Sequence, residues 1–391
     1  MLRITYFLAV IALSFLACNN NSTTPPPAQQ GAAGRQGHWY ARYTGTVAGR
    51  PVVANLYFYA DTTGNIQSVS GNYYYSDKSQ LIDLSSINKM DDKIHLSEYV
   101  QTVRDPEGNK KSPEWVITID TAGIKGKWYS ADHKTIGDVV LHENYDGAAC
   151  RFAVITGGDS VSYKLTNGLY WLREEHTFIV PSEDMNKEDA AFITSALLHE
   201  LGGDTLGATD LEGYVKAVNK ERSAAYKRTL DELVKDNDTL EHESYNWESD
   251  LSTLCVYNDK GLAVFNFNQY DYSGGAHGNN WSRYICLDVK EKKVWRLSDI
   301  LDADDRMLSA ILEKEARTNF DIKQGDPLND QLLVDTIPVT DNIIISDLGL
   351  TFHYNAYEVA CYAEGEVSFF LSYTILKDML KPEFKKRMGL Q

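Results

Sequence analysis

The amino-acid sequence predicts an α+β protein that begins with an all-β antiparallel meander or small barrel and continues as a mixed α+β module with an antiparallel sheet and several helices. Short apolar strands separated by turn residues follow one another from residue 38 to residue 147, and segments with a helical period appear only after that point. We expect five parts: a lipoprotein signal peptide at 1–18, a disordered tether at 19–37, the meander at 38–147, an α+β segment with two helices at 148–240, and a C-terminal domain at 241–391.

The N-terminus carries an export signal. Arg3 is followed by an apolar run, 4–17, which is shorter than the ~20 residues that a membrane-spanning helix needs, and polar sequence follows at once. The string Phe15-Leu16-Ala17-Cys18 resembles a bacterial lipobox, which predicts that Cys18 is acylated and becomes the mature N-terminus. An ordinary secretory signal is the alternative. We therefore expect a lipoprotein of the cell envelope, in the outer membrane, that contacts the membrane through its N-terminal lipid.

The segment after Cys18 is rich in Asn, Thr, Pro, Gln and Gly and has no large apolar residue before Trp39. Such a segment buries too little apolar surface to offset the entropy lost on ordering. This composition predicts a tether between the lipid and the folded body.

The region 38–147 alternates apolar and polar residues in short runs with Gly, Asn and Pro between them. Roughly eight strands at spacings of about 8–12 residues are typical of a meander that closes into a barrel or curls strongly. Its many Tyr and Trp residues leave two alternatives open. They line a cavity, which would make the barrel a carrier of a small hydrophobic ligand, or they fill the interior.

Past Gly147 the pattern becomes mixed. Asn186 is placed to cap a helix that Gly202 and Gly203 close, a second helix starts near Asp210, and a third starts at Asp302. The last predicted elements are a strand pair near 350–354 and 367–373 and a helix near residue 375.

One string, His199-Glu200, matches the start of the zinc motif His-Glu-x-x-His. The second histidine must come four residues after the first so that both rings share a helix face, and that position is Gly203. We therefore expect no metal site here, and no cofactor elsewhere in the chain.

Four cysteines follow Cys18, at positions 150, 255, 286 and 361. An even number in an oxidising compartment permits two disulfides, but a chain of this length folds without them. Free thiols are the interpretation that we prefer.

The net charge of −17 is unevenly distributed, because residues 151–391 hold 41 acidic and 25 basic residues. Nucleic acid is excluded as a partner, since binding phosphates requires a basic face. An acidic surface attracts a cationic protein or peptide, and plain solubility is the alternative.

The most unusual string in the chain is the glycine-rich loop between two predicted strands. Its glycines permit left-handed backbone and close approach, and His277 is a candidate general base with Asp271 or Glu358 as a partner. The alternative is an architectural loop in which His277 bonds the backbone. Candidate ligand-binding residues in this loop are Tyr270, Tyr272, Gly274, Gly275, His277, Gly278 and Asn279.

Four strings of this sequence resemble a domain that RsiV-type lysozyme-sensing anti-sigma factors share with peptidoglycan deacetylases. In the deacetylases this domain is an accessory module. The strings are 274–278, 287–289, 295–301 and 350–365. The resemblance spans residues 240–380, with Cys361 where the family usually has proline. It implies an outward-facing domain that binds lysozyme, a basic protein. It also implies that the second motif lies beside the glycine-rich loop, which adds the candidates Tyr354, Tyr357, Glu358 and Tyr362.

These observations favour a binding protein over an enzyme. We expect the acidic C-terminal module to bind an extracytoplasmic ligand, either a lysozyme-like cationic protein or a cell-wall fragment. The chain has neither a spanning helix nor a deacetylase motif of the Thr-Phe-Asp-Asp-Gly type, so we expect it neither to signal nor to act as those relatives do. Two alternatives remain: a hydrolase or deacetylase of glycans or peptidoglycan that uses His277, and a small hydrophobic ligand carrier.

Overall fold

Eight antiparallel strands close a barrel in the order β1-β10-β9-β8-β5-β4-β3-β2. Alternation of side chains along each strand puts one set of residues inside the barrel and the other outside. The predicted meander is therefore a closed barrel. The strands are β1 His38–Val47, β2 Arg50–Ala60, β3 Ile66–Tyr75, β4 Ile82–Met90, β5 Lys93–Tyr99, β8 Glu114–Asp120, β9 Gly123–Tyr129 and β10 Ile136–Glu143, with a separate small pair formed by β6 Val103–Arg104 and β7 Lys110–Lys111.

This computed structural model describes residues 35, 37–78, 80–90, 93–99, 103–104, 110–165, 168–235 and 245–390. The predicted signal peptide, Cys18 and nearly all of the tether lie outside the described residues. Within these ranges no helix is long and apolar enough to cross a membrane.

The barrel interior is filled by its own side chains. Tyr43, Phe58, Tyr73 and Trp115 are all buried in one apolar cluster there. At its centre the buried carboxylate of Glu98 accepts hydrogen bonds at Oε1 from Tyr73 Oη at 2.6 Å, Trp115 Nε1 at 2.8 Å and Trp128 Nε1 at 2.7 Å. Among the described residues, the aromatic side chains therefore fill the barrel, as in the second of the two alternatives that the sequence left open.

The second part of the fold is a six-stranded sheet in the order β11-β12-β13-β14-β15-β16. Its strands are antiparallel except for β12 and β13, which run parallel, so the sheet is mixed. The described part of the connection between these two strands, which leaves out residues 236–244, carries three helices. The elements are β11 Phe152–Leu165, β12 Gly168–Pro181, α1 Lys187–Glu200, α2 Gly203–Leu206, α3 Leu211–Lys235, β13 Trp247–Asp259, β14 Leu262–Tyr272, β15 Asn279–Asp288 and β16 Lys293–Trp295.

A three-stranded antiparallel sheet with short helices completes the chain and confirms the α+β class. The Asn186 side chain accepts from the backbone N–H groups of Glu188 and Asp189, which confirms the predicted cap of α1. The helix predicted from Asp302 begins later, because Asp304 is the residue whose side chain accepts from Arg306 N. The elements are α4 Leu297–Ile300, α5 Asp305–Asn319, a 3-10 turn Leu328–Asp330, β17 Ile343–Ile345, β18 Gly349–Tyr354, β19 Val367–Ser372, α6 Tyr373–Leu376 and α7 Pro382–Met388.

The barrel docks on the end of β13. Pairing of β12 with β13 stops at Thr253, and a bulge follows between Cys255 and Tyr257. Beyond Thr253 the backbone groups of β13 no longer pair with β12, and side chains of the barrel bond them instead. Tyr57 Oη donates to Cys255 O at 3.2 Å and accepts from Cys255 N, and Asn55 Nδ2 donates to Val256 O at 3.0 Å. Buried backbone groups need such partners, so β2 is buried on both of its faces.

Two further polar side chains join the barrel to the sheet. Arg42, itself buried, donates to Asn258 O at 2.6 Å and pairs with Asp259 at 3.2 Å. The Asn258 amide in turn donates to Tyr40 Oη at 3.0 Å and to Cys150 O at 2.8 Å. Such a fully hydrogen-bonded buried network fixes one docking geometry.

The four cysteines at positions 150, 255, 286 and 361 are free thiols, which agrees with the interpretation that we preferred. Cys255 and Cys286 are buried, and Cys361 is exposed in the loop before β19. The described part of the fold is therefore held by packing and hydrogen bonds rather than by disulfides between these cysteines.

Replacing Glu98 tests the polar centre of the barrel. Glu98→Ala leaves two indole N–H groups and one phenol without their acceptor, and we expect a loss of about 3 kcal/mol or more in the free energy of unfolding. Glu98→Gln keeps an acceptor oxygen and should lose about 1–2 kcal/mol. Urea unfolding followed by tryptophan fluorescence measures both. Equal stability of Glu98→Ala and the unaltered protein would contradict this role.

Candidate functional site

The structure brings the glycine-rich loop and the 354–365 segment together through a stack of three rings, which we call the ring column. His277 stacks on Tyr362 with centroids 4.0 Å apart and planes inclined by 22°, and Tyr362 stacks on Tyr357 at 5.9 Å and 27°. Tyr362 Oη donates to Gly278 O at 3.1 Å, which ties the two segments directly. Tyr357 is 55% exposed and Tyr362 39% exposed, so the column faces solvent.

Glycines shape the loop at the positions where a side chain has no room. Gly274 and Gly275 have φ angles of 101° and 98°, in the left-handed range that favours glycine. A Cβ atom at Gly278 would lie 2.5 Å from the ring of Tyr270, so only glycine lets the chain cross this ring. Tyr272 Oη donates to Gly275 O at 3.1 Å and holds the turn.

The other predicted candidates lie in different surroundings. Tyr354 is only 1% exposed; it packs on Phe369 and donates to Pro338 O at 2.6 Å, so it belongs to the core and not to the ring column. Asn279 is exposed at the start of β15. Glu358 is exposed, and its Oε2 accepts from Asn355 N at 2.8 Å, which braces the turn that carries Tyr357.

His277 is held by the loop itself. Its Nδ1 donates to the carbonyl oxygen of Gly278 at 2.8 Å while its ring lies on Tyr362. The described part of the chain contains no group of three His, Cys, Asp or Glu residues placed to hold a metal ion. His199 pairs with Asp204 at 2.9 Å on the exposed end of α1. The hypothesis of a hydrolase that uses His277 stays a prediction.

The two segments that carry the ring column have acidic but no Lys or Arg side chains. The segments 270–280 and 354–366 together contain four carboxylates and no Lys or Arg. One of them, Asp271, pairs with Arg222 of α3 at 2.7 Å, and the same guanidinium lies 2.9 Å from buried Glu174. Glu358 and Glu364 are exposed, so the surface beside the rings presents negative charge to solvent.

A second site lies between the barrel and the two sheets, and the sequence did not predict it. It is a cavity of about 440 Å³ with walls from β3 and β4 on the barrel side and from β13, β14, β15, β18 and β19 on the other. Its volume is within the range of about 300–1,000 Å³ that is typical of small-molecule sites. We call it the interface cavity.

Two carboxylates line the interface cavity. Glu366 accepts from Asn280 Nδ2 at 2.8 Å and from Ser282 Oγ at 3.1 Å, and it lies 3.4 Å from buried His353. Burial opposes ionisation of Glu366, but the hydrogen bond and charge of His353, with Ser282 and Asn280, outweigh it and lower its pKa. Asp83 makes no hydrogen bond or ion pair within the described ranges.

Asp83 is accessible to water in the cavity, yet protein surrounds it on most sides. This enclosure raises the pKa of its carboxyl to about 6, and the negative charge of Glu366 adds to the rise, while His353 opposes it. An unpaired carboxylate whose ionisation is disfavoured costs stability, which is a common property of ligand sites.

A sequence signal for the interface cavity exists in β14. Val264, Asn266 and Asn268 share one face, opposite the buried face of Phe265 and Phe267. Amides on the face that packs against the rest of the protein indicate a polar space beneath it. Reading that signal requires knowing that the barrel covers this face, and the sequence alone does not place the barrel.

Comparisons with known proteins find a family match near the C-terminus and a solved structure that shares the fold over 62% of this chain. Residues 298–374 match the family described as "Protein of unknown function (DUF3298)", so the chain carries this domain near its C-terminus. A member of the same family from Bacteroides fragilis has a solved structure with a TM-score of 0.53 and 18% identity; the match covers 62% of this chain and 99% of that chain. A DUF3298 protein of Pseudomonas aeruginosa PAO1 matches with a TM-score of 0.42 and 16% identity, over 60% of this chain and 96% of that one.

The chain is also similar to an enzyme, the peptidoglycan-N-acetylmuramic acid deacetylase PdaC of Bacillus subtilis strain 168. They are 30% identical over 179 residues, which cover 42% of this chain and 38% of the enzyme's length. These findings confirm the predicted resemblance to a domain family of unknown function that peptidoglycan deacetylases share. They fit an envelope-associated, cell-wall-related protein located outside the cytoplasm.

Replacing Asp83 tests whether it costs stability. The folded state holds the Asp83 proton more tightly than the unfolded chain, so ionised Asp83 destabilises the fold above about pH 6, and the cost fades as the pH falls towards 4. We expect Asp83→Asn to stabilise the protein at pH 7.5 by about 1 kcal/mol, after allowing for screening by water.

Thermal unfolding of both proteins at pH 7.5 and at pH 4.5 measures this effect, and the gain should shrink at the lower pH. Asp138→Asn is the matched control, because Asp138 pairs with Lys127 on the exposed barrel surface. A destabilised Asp83→Asn protein at pH 7.5 would show that the carboxylate has a partner.

Proposed function

We propose that this chain is a lipid-anchored envelope protein whose C-terminal module binds a cationic extracytoplasmic protein, with a lysozyme-like wall hydrolase as the example to test. The observation that carries the proposal is the ring column of His277, Tyr362 and Tyr357, exposed on two segments that hold carboxylates and no Lys or Arg.

The chemistry of this surface suits basic side chains. A Lys or Arg cation over a tyrosine face gains about 0.5–1 kcal/mol at an exposed site. Glu358 and Glu364 add attraction at the same place, and the acidic excess of residues 151–391 steers a basic partner towards the module. Stacking and hydrogen bonds hold the rings in position, so little side-chain entropy is lost when a partner binds.

The anchor belongs to the same proposal. Acylation of Cys18 holds the chain at a membrane outside the cytoplasm, the compartment in which wall hydrolases act. The similarity to a peptidoglycan deacetylase supports a role near the cell wall. The ring column faces solvent, where a partner outside the cytoplasm can reach it.

A cell-wall fragment is the second candidate ligand, and the similarity to an enzyme that acts on peptidoglycan favours it. Tyrosine rings also stack on sugar faces, so the ring column suits this ligand in shape. Titration with soluble muropeptides distinguishes the two candidates, because binding of a neutral or acidic glycan is not weakened by added salt as binding of a basic protein is.

Titration of the full chain with lysozyme tests the proposal. We expect binding at low salt that weakens as salt is added, because exposed charges are screened. Tyr357→Ala and Tyr362→Ala should each weaken binding about two- to fivefold, the loss expected of about 0.5–1 kcal/mol. Calorimetry or surface plasmon resonance gives the affinities.

The controls separate a specific surface from general acidity. Tyr99→Ala removes a tyrosine of the barrel that is more exposed than either tyrosine of the ring column, and it should leave the affinity unchanged. Cytochrome c is a basic protein of similar charge and should bind more weakly than lysozyme. Equal binding of the two proteins, or unaltered lysozyme binding by the ring-column variants, would overturn the proposal.

Lipidation is tested separately. Expressed with its N-terminus in a bacterial host, the chain should incorporate labelled palmitate and partition into detergent. Cys18→Ser should abolish the label, and Cys361→Ser, which changes an exposed thiol near the other end of the chain, should retain it. Mass spectrometry of the mature N-terminus that shows an unmodified cysteine would contradict the anchor.

A further inference from the structure

We infer that the interface cavity is a second binding site, separate from the ring column, and that it takes a small ammonium-bearing sugar of the hexosamine class. This site is distinct from the surface proposed to bind a basic protein, because the walls of the interface cavity come from both the barrel and the C-terminal sheets. It rests on the charge balance, the polar lining and the access route of this cavity.

The charge balance calls for a cation. The lining includes the carboxylates of Asp83 and Glu366 and no lysine or arginine. Glu366 has hydrogen bonds from Asn280 and Ser282, but Asp83 has no partner of either kind in the described part of the chain. Asp83 is open to the water-filled cavity and has no protein partner there among the described residues, so a ligand ammonium group that enters the cavity would pair with its carboxylate.

The neutral lining suits hydroxyl groups. Asn266 Oδ1 is buried and has no hydrogen-bond partner, and Asn268 and Ser252 face the same space. A simple amine leaves these groups unmatched, whereas ring hydroxyls donate to and accept from them. Phe370 and Leu254 also line the cavity and offer apolar surface to the C–H face of a sugar ring. The lining as a whole therefore matches an amino sugar better than a plain amine.

The cavity has an access route. Gln80, Leu81 and Ser368 line both the interface cavity and a neighbouring outer groove of about 700 Å³. Gln80 and Ser368 are exposed. A ligand therefore reaches Asp83 from solvent without separation of the barrel from the sheets.

Glucosamine and N-acetylglucosamine form a matched pair of probes, because acetylation removes the charge and keeps the sugar. We expect glucosamine to bind the full chain saturably at pH 7 and low salt, and N-acetylglucosamine to bind at least tenfold more weakly. Asp83→Asn should weaken glucosamine binding at least tenfold and leave N-acetylglucosamine binding unchanged. Isothermal titration calorimetry measures all four affinities.

Two further variants complete the test. Asp138→Asn removes an exposed barrel carboxylate and should bind glucosamine like the unaltered protein. Ser252→Phe fills the cavity without changing its charge and should abolish binding, with folding checked by circular dichroism.

Three results would each overturn the inference. They are a failure of glucosamine to bind, equal affinity for the two sugars, and an Asp83→Asn protein that binds glucosamine as tightly as the unaltered protein. Methylamine that binds as tightly as glucosamine would overturn the hexosamine class. None of these results changes lysozyme binding at the ring column, so the two proposals fail separately.

Discussion

The end of β13 is the constraint on which the rest of the structure depends. Its pairing with β12 stops at Thr253, and the bulge that follows turns the backbone of Cys255 and Val256 towards the barrel. Buried backbone groups without partners are costly, and the barrel supplies those partners from Tyr57 and Asn55. The outer face of β2 is therefore as tightly specified as its inner face, and the barrel has one position on the module.

That position also creates the interface cavity. Val256, Leu254 and Ser252 lie on one face of β13, and along this face the contact with the barrel gives way to the cavity. Ser282 on β15 and Glu366, the residue before β19, continue its wall. A cavity remains because a curved barrel wall packs against a sheet. Packing alone explains this space, but it does not require that the side chains lining the space be polar.

The sequence predicted features that depend on local pattern. Alternation located the barrel strands, and the capping oxygen of Asn186 located α1. Tyr354 was a candidate for ligand binding, but it shares a buried face of β18 with Leu350 and Phe352, a placement that their alternating spacing in the sequence also fits. Local pattern did not predict contacts between distant segments. The parallel pairing of β12 with β13 spans three helices, and the cavity wall that holds Asp83 meets the wall that holds Glu366 only because the barrel docks there. The ring column was reached through family resemblance rather than through pattern.

The interface cavity has walls from two parts of the fold, and this couples occupancy to assembly. A molecule that binds only when the barrel is docked stabilises the docked state, and the docked state strengthens its binding by the same free energy. Strands β3 and β4 supply one wall and β14 and β15 the other, so neither part holds the site alone. With a ligand in the interface cavity, loosening the barrel would release that ligand, and the ligand would in turn resist the loosening.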